Sequence, residues 1–557
     1  MSVKEGSDAL KGWILGLAIF VMGGCGIAYE YTLSKVSSDL LGNSVQQWAL
    51  VIAVMLFFMG LGAEIQQRLP DRWLVDMLAG SQIVLALLGG FGPLFFIQTF
   101  AFYPLNFSLI HYGLISLCGL LIGLEIPLIT RLNESFMPAM RKNIGKVLRM
   151  DYAGALLGGL FWTFLLIPKF SITETALILA LITLSGALIC VVIFRRQSRF
   201  GRVWIILIPV ALAGCVVGFT KCKEWALDAE QSLYRDQVVY TATSPYQRIV
   251  LTKSKKGNLR CYINGHLQFS ENDEYIYHEL LTHPAMALSK SRERVLILGG
   301  GDGLALREVL KYPAVKEVTL VDLDPFMTKM SASHEDMVRM NEGAFSDARV
   351  QLRIVPASGT GETKSTLMPD RSERFLGDSV ELPEVEIVHQ DASRYVAEAE
   401  GRFDVVILDF PDPSSPGLAK LYGLAFYGQL RGLLKEGGVI IQQSTSPWHA
   451  REAFLCIGRT MEAAGFATVP LHANIPSFGD WGWWVGASSD QTTPEELAGK
   501  LGRLNGFDIP TRYLNGETLG AALVFAPGFL KSSSEDITTL DDPAIFRHYL
   551  RAWKESP

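Results

Sequence analysis

Apolar residues are unevenly distributed along this chain, running in long blocks up to about residue 220 and in short alternating runs after residue 235. A helix crosses the hydrocarbon core of a bilayer when about 20 mostly apolar residues follow one another. Seven blocks approach that length: 11–33, 46–63, 74–99, 104–130, 150–168, 173–194 and 203–219. The pattern predicts an N-terminal α-helical transmembrane bundle of about seven spans over residues 1–220. The first block is read as a span rather than a signal peptide, because six more follow and no small-residue cleavage site is present. Residues 221–239, with Trp225, Leu227 and Leu233 among charges, read as a linker, an interfacial helix leading out of the membrane.

Beyond the linker the period changes. From Val238 to Gln268 short apolar runs are broken by Ser-Pro, Lys-Lys-Gly-Asn and Asn-Gly, which predicts antiparallel hairpins. A helix over Glu274–Leu288 follows, and then strands and helices alternate, the pattern of a doubly wound α/β domain. The expected organisation is a small β domain over 240–290 and an α/β domain over 291–557.

The α/β pattern places acidic residues where such sheets bind ligands, beyond the carboxyl ends of their strands. Val295–Gly299 reads as a buried strand entering the turn Gly299-Gly-Gly-Asp-Gly303, whose glycines allow close approach to a ligand. The next strand ends at Asp322, nineteen residues past Gly303, where a carboxylate can take both ribose hydroxyls. A third strand, from Val385, ends at Asp391-Ala392, the position for an adenine amino group, and a fourth ends in Asp409-Phe-Pro-Asp412. There is no GxGxxG, and Asp302 would repel a pyrophosphate while favouring a sulfonium. These features favour an S-adenosyl compound over a dinucleotide.

Charge and composition narrow the picture further. The net charge of −6, with no basic stripe outside the presumed membrane loops, excludes a nucleic-acid partner. The seven cysteines are scattered without metal-ligand spacing, so neither a metal nor a disulfide framework is expected. Arg68, Arg72, Arg131, Arg141, Lys142, Lys146, Arg149, Arg195, Arg196, Arg199 and Arg202 share a side with Lys4 and Lys11, against Lys35, Lys169, Lys221 and Lys223 opposite. This asymmetry predicts a multi-pass protein of the cell (inner) membrane with a cytoplasmic N-terminus. An odd number of spans then places the soluble domain outside the cytoplasm, whereas a cytosolic nucleoside argues for the opposite side. Glu30, Glu64, Glu125 and Asp151 fall in or beside apolar blocks. Such groups are expensive at membrane depth and face a bundle interior. A cation site is one reading. The plainer one bonds Glu30 and Glu125 to neighbouring helices and leaves Glu64 and Asp151 at the interface.

Several ordered motifs together resemble the spermidine synthase (polyamine aminopropyltransferase) family over nearly all of residues 240–490. Ser244-Pro-Tyr-Gln247 is similar to its glutamine-bearing first strand, and Asn272-Asp-Glu-Tyr-Ile-Tyr-His-Glu279 to its DE-x-x-YHE element. Val295–Gly303, continuing into Arg307-Glu308, resembles its strand and glycine loop, and Asp409–Pro413 its D-x-x-DP signature, followed by Leu421-Tyr422 and Phe426-Tyr427. The resemblance implies a Rossmann-like, methyltransferase-type domain that transfers the aminopropyl group of decarboxylated S-adenosylmethionine, a co-substrate, to putrescine or a related amine. By the same resemblance Gln247, Gly299, Gly301, Asp302, Asp322, Asp391 and Ala392 hold the nucleoside. Tyr277, His278, Asp412 and Trp481, from Phe478-Gly-Asp-Trp-Gly-Trp483, engage the amine, and Asp409 is the base.

The sequence also departs from the family pattern. Asn264-Gly265 stands where the family has Asp-Gly, Asp322 replaces a glutamate, and Phe410-Pro411 fills a normally small polar gap. An insertion, 351–384, precedes the strand beginning at Val385 and reads as a mobile loop or lid. Expected partners are a polyamine, an S-adenosyl nucleoside and a lipid bilayer, with a homo-oligomer left open. Two alternatives remain at this point: an S-adenosylmethionine-dependent methyltransferase, and a polyamine transporter or sensor whose soluble domain binds without turnover.

Overall fold

The computed structural model describes residues 3–41, 44–103, 106–134, 140–244, 246–346, 351–356 and 384–555. The chain divides into two compact units, Met1–Val238 and Val239–Pro557.

The first unit is a helix bundle: α1 (Val3–Leu41), α2 (Ser44–Ile65), α3 (Leu74–Phe102), α4 (Phe107–Glu134), α5 (Met140–Phe161), α6 (Ile172–Phe194) and α7 (Gly201–Gln231). Among the described residues six helical stretches are long and apolar enough to cross a membrane: Lys11–Leu41, Gln46–Arg68, Asp71–Phe102, Phe107–Glu134, Ile172–Phe194 and Gly201–Gln231. The count is therefore six where the sequence pattern predicted seven. The missing one is α5, whose first half carries Arg141, Lys142, Lys146, Arg149 and Asp151.

Although charged, α5 lies alongside α1 and parallel to it. Lys146 Nζ donates to Gly12 O at 3.1 Å near one end, and Trp162 Nε1 donates to Thr32 Oγ1 at 2.9 Å near the other. Between them the backbones of Gly24 and Gly158 meet so closely that a side chain on Gly158 would strike Gly24, the close helix approach that small residues permit. Gly89 and Gly92 of α3 meet Tyr29 and Leu33 of α1, and Gly80 and Phe91 of α3 meet Trp204 and Gly218 of α7, so these three helices also run in one direction. The chain consequently leaves the bundle at the end opposite the N-terminus of α1. It leaves as an unbroken continuation of α7 to Gln231, so the expected linker helix is the tail of the last apolar helix.

Of the acidic residues in the apolar blocks, Glu125 is buried and accepts from Gln82 Nε2 on α3 at 2.5 Å, the interhelical bond of the plainer reading. Glu30 is buried as well, Asp151 is half-buried and Glu64 is exposed.

The second unit begins with a four-stranded sheet ordered β1 (Gln237–Thr243), β2 (Arg248–Lys253), β3 (Leu259–Ile263) and β4 (His266–Ser270). The β3–β4 hairpin closes through Asn264 (φ 51°) and Gly265 (φ 82°), a two-residue turn that needs left-handed backbone at both positions. The helix α8 (Glu274–Leu288) follows, and its Leu280 and Leu281 share a core with Val295 and Ile297 of the larger sheet. It thus packs with the α/β core rather than closing the small β domain.

That core continues in chain order with β5 (Arg294–Gly299), α9 (Leu304–Val309), β6 (Glu317–Asp322), α10 (Pro325–Ser333), α11 (Glu335–Met340), β7 (Gln351–Pro356), β8 (Glu384–His389), α12 (Ala392–Glu398) and β9 (Phe403–Asp409). It ends with α13 (Pro416–Ala419), α14 (Leu424–Leu433), β10 (Leu434–Gln443), α15 (Arg451–Ala463), β11 (Phe466–Ile475), β12 (Gly479–Ser488), α16 (Pro494–Leu501), α17 (Gly516–Ala522) and α18 (Ala544–Glu555).

The eight strands are ordered β11-β12-β10-β9-β5-β6-β8-β7. The six from β10 to β7 are mutually parallel, and β12 and β11 pair antiparallel at the other edge. Along β5 alternate residues enter opposite cores, Val295 and Ile297 one and Leu296 and Leu298 the other, as expected of a sheet covered on both faces. The connection from β5 leads to β6 on one side while β9 lies on the other. The crevice at this switch point, beyond the strands' carboxyl ends, is the ligand position of open α/β sheets.

The insertion begins later than the sequence pattern indicated. Gln351–Pro356, read as its start, is strand β7, paired in parallel with β8. The alternation of Leu352 and Ile354 is the signal for it. The stretch 357–383 lies outside the described residues.

Candidate active site

The carboxyl ends of four neighbouring parallel strands, β9, β5, β6 and β8, deliver most of the expected residues. Gly299 ends β5 directly opposite Asp409 at the end of β9. Its φ is 86°, and a Cβ there would collide with the Asp409 backbone oxygen, so glycine is what allows the two strand ends to meet. Gly301 donates its N–H to Asp322 Oδ2 at 2.9 Å, and a Cβ on it would lie 2.6 Å from that oxygen. Within this loop Gly299 and Gly301 therefore bring backbone against two site carboxylates.

Three ionisable groups converge above the switch point. A ring nitrogen of His278 and carboxylate oxygens of Asp302 and Asp409 lie within 4.8 Å of one another, spacing that could hold a metal ion. They come from three separate elements, which is why no metal-ligand spacing was visible in the sequence. Asp409 Oδ1 accepts from Tyr277 Oη at 2.6 Å. Burial pushes the Asp409 carboxyl above its ordinary value, opposed by the nearby His278 and the Tyr277 hydrogen bond. Burial also raises Asp302, to about 6.

His278 carries the compensating charge. Burial alone would lower its pKa, but Glu274, whose Oε2 lies 2.9 Å from Nδ1, raises it to about 9. A pKa raised in this way favours the protonated imidazole beside the two carboxylates. Glu274 in turn takes two hydrogen bonds from Arg307, at 2.9 and 3.0 Å. Arg307 Nε bonds Glu308 at 2.8 Å, and Glu308 bonds His283 at 2.9 Å. All of these side chains are buried, and His283 and Arg307 hold Glu308 at about 2 against the opposing effect of burial.

Asp322, expected on the nucleoside side, accepts through Oδ1 from the Asp324 N–H at 2.8 Å, and burial raises it to about 6. Gln247 sits in the turn before β2, its N–H bonded to Ser244 Oγ at 3.0 Å, while the Ser244 hydroxyl lies 2.7 Å from Asp324 Oδ2. The small sheet is thereby tied beside Asp322. Asp391 caps α12 through the Ser393 N–H at 2.9 Å and pairs with Lys420 at 2.6 Å, and Ala392 begins that helix. Against the opposing effect of burial, Lys420 lowers the Asp391 pKa.

Asp412, expected on the amine side, accepts from Thr445 Oγ1 at 3.1 Å and from Gln443 Nε2 at 3.5 Å, and burial raises it to about 6. Phe410 turns away into the core against Tyr422 and Phe426, so the large residue between the two aspartates packs the sheet. Trp481 stacks near Phe478, with ring centroids 5.3 Å apart. The aromatic ring against Tyr277 is instead Trp483, at 5.7 Å. The indole N–H groups of both tryptophans have no hydrogen-bond partner among the described residues.

A half-buried carboxylate at a switch point, flanked by a second acid, a tyrosine and a histidine of raised pKa, can take a proton from an ammonium and hold a cationic co-substrate. Comparison with known proteins agrees. Residues 274–360 and 363–496 match the spermine/spermidine synthase domain model. Polyamine aminopropyltransferase 2 of Ralstonia nicotianae is 33% identical over 548 residues, 97% of this chain and 98% of that protein. Polyamine aminopropyltransferase 1 of Streptomyces coelicolor is 35% identical over 552 residues, 98% of this chain and 95% of that one. The chain belongs to the polyamine aminopropyltransferase family. A crystal structure of spermidine synthase in complex with the transition-state analogue AdoDATO also aligns, with TM-score 0.42 and 24% identity over 52% of this chain and 86% of that one. The alignments to the two aminopropyltransferases take in nearly all of this chain, so the N-terminal helical unit is part of what they share.

As an enzyme of the aminopropyltransferase family the chain has polar site residues that sequence reasoning passed over. Glu274 is four residues before His278 on one helix, a spacing that places both on the same face. Arg307, quoted only as part of a motif, is the ion that makes burying Glu274 tolerable. Glu279 of the same motif faces away, accepting the backbone N–H groups of Arg512, Tyr513 and Leu514 at 2.5, 2.9 and 2.7 Å, a structural task.

Proposed function

We propose that this enzyme transfers the aminopropyl group of decarboxylated S-adenosylmethionine to putrescine or a related amine, releasing methylthioadenosine. The observation that carries the reading is the half-buried Asp409 carboxylate, hydrogen-bonded by Tyr277 and set opposite the glycine loop. The amine nitrogen forms a bond to the carbon beside the sulfonium, the carbon–sulfur bond breaks, and its electron pair neutralises the sulfur. The ammonium proton passes to Asp409, whose raised basicity suits it to a proton that must be taken before attack. His278 keeps Asp302 and Asp409 ionised while two cationic substrates are aligned. Gln247, Gly299, Gly301, Asp302, Asp322, Asp391 and Ala392 form the nucleoside side, and Asp412 with Tyr277, His278 and Trp481 the amine side.

The helical unit is read as embedded in a membrane, with its arginine-rich end in the cytoplasm. On that reading α5, although outside the six apolar stretches, crosses beside α1 as a seventh helix, and the chain leaves the bundle at the face opposite the N-terminus. A C-terminal alkaline phosphatase fusion is then active and a fluorescent-protein fusion dark, and the reverse pattern overturns this orientation.

The reaction is tested by incubating purified full-length protein with putrescine and either nucleoside. Methylthioadenosine from the decarboxylated compound is the expected product. S-adenosylhomocysteine from S-adenosylmethionine would instead establish a methyltransferase.

A further inference from the structure

The family domain match ends at residue 496, and the sixty or so residues after it contain a helix that reaches the amine side of the site. Helix α18 is docked by its first turn: Ala544 and Ile545 are fully buried, and the Ile545 N–H donates to Thr538 Oγ1 at 3.0 Å. The Thr538 N–H donates in turn to Thr460 Oγ1 on α15 at 3.0 Å. Residues four apart share a helix face, so Ile545, Tyr549 and Trp553 line one side of α18. The Tyr549 phenol lies beside the Asp412 carboxylate, and burial and that charge raise its pKa. Trp553 packs against Tyr549, ring centroids 6.0 Å apart, and stacks on His449, with ring centroids 6.2 Å apart at an interplanar angle of 17°.

His449 and Thr445 belong to the same loop after β10. This loop therefore meets the Asp412–α18 assembly twice, through Thr445 at the carboxylate and through His449 at Trp553. Thr445 itself has φ 57°, a strained conformation for a β-branched residue. That strain is held where the Thr445 hydroxyl meets Asp412. Among the described residues the hydrogen-bond donors to Asp412, Gln443 and Thr445, are neutral, and so is the Tyr549 phenol beside it. Neutral donors fix a carboxylate in place while leaving its charge for an incoming ammonium.

We infer that Tyr549, supplied by the C-terminal helix outside the matched family domain, is a positioning residue for the acceptor amine. It orients the Asp412 carboxylate and is itself oriented by Trp553. The inference rests on the assignment of Asp412 to the amine side.

The test uses the full-length enzyme and measures KM separately for acceptor and donor. Tyr549→Phe keeps the ring and removes one hydroxyl; it should raise the acceptor KM about tenfold or more, the size of a hydrogen bond to a charged group. The donor KM should stay within about twofold, because the nucleoside side is untouched. Trp553→Phe, which keeps the stacking and loses the indole N–H, should give a smaller rise of the same kind. An unchanged acceptor KM in Tyr549→Phe, or a rise shared equally by the donor KM, overturns the inference. Asp412→Asn separates it from the reading beneath: if that variant raises the acceptor KM while Tyr549→Phe does not, only the role of Tyr549 fails. If Asp412→Asn also leaves the acceptor KM unchanged, the assignment of Asp412 fails with it.

Discussion

The two units of this chain both bury carboxylates, and they treat them differently. In the helical unit Glu125 lies between helices with one amide, Gln82, bonded to it. In the catalytic unit Asp302 and Asp409 lie close to His278, and behind His278 run Glu274, Arg307, Glu308 and His283 in an unbroken buried series. A single buried acid beside a neutral donor is at ease uncharged, whereas acids meant to be ionised need compensating cations. The difference separates a carboxyl that holds helices together from carboxylates that do chemistry. Glycines divide the same way. In the bundle they let helix backbones touch, as at Gly24 and Gly158, and in the crevice Gly299 and Gly301 let backbone approach Asp409 and Asp322.

If that contrast is right, breaking the catalytic charge series has the largest effect. Arg307→Met removes the cation that Glu274 and Glu308 share, leaving them His278 and Lys311, and should destabilise the catalytic unit by about 3 kcal/mol in denaturant unfolding; a loss under about 1 kcal/mol would mean the series is not compensating charge. Next comes Asp322→Asn, which keeps the shape but removes the charge on the nucleoside side. It should raise the donor KM about tenfold and leave the acceptor KM alone.

The pH dependence sharpens the role of His278. Its folded pKa is raised, so the stability it lends is fully present below its ordinary value near 6.5 and is lost as pH rises through about 9. Comparing unfolding of wild type and His278→Gln from pH 6 to 10 should show this decline in the wild type alone. Equal slopes would contradict it.

The smallest effect belongs to the bundle. Glu125→Gln keeps a hydrogen-bonding group beside Gln82, and turnover should stay within about twofold. A tenfold loss would tie the bundle's buried acid to the reaction and collapse the contrast.

Much of this was legible in the sequence because it rests on local patterns. Apolar blocks announced the helices, and strand-end acids at Asp322, Asp391, Asp409 and Asp412 announced the crevice. Three things were hidden for physical reasons. The α5 block looked like a span because apolar residues from 152 onward follow a charged half that hydropathy alone penalises, yet the helix packs along α1 through glycines. Strand β7 is short and precedes a long connection, so its alternation was absorbed into the insertion. Arg307, Thr445 and Tyr549 act through tertiary contacts, Arg307 with residues 33 positions away in both directions and Tyr549 with a carboxylate far upstream. No spacing rule connects such pairs before the fold brings them together.

The account turns on Asp409 as the group that takes the amine's proton. The most direct test is Asp409→Asn, with donor binding by calorimetry and aminopropyl transfer measured on the same full-length preparation. Donor affinity should stay within about threefold while kcat falls about 10²–10⁴-fold, the contribution of a positioned general base. Transfer at the wild-type rate with donor affinity intact would contradict it.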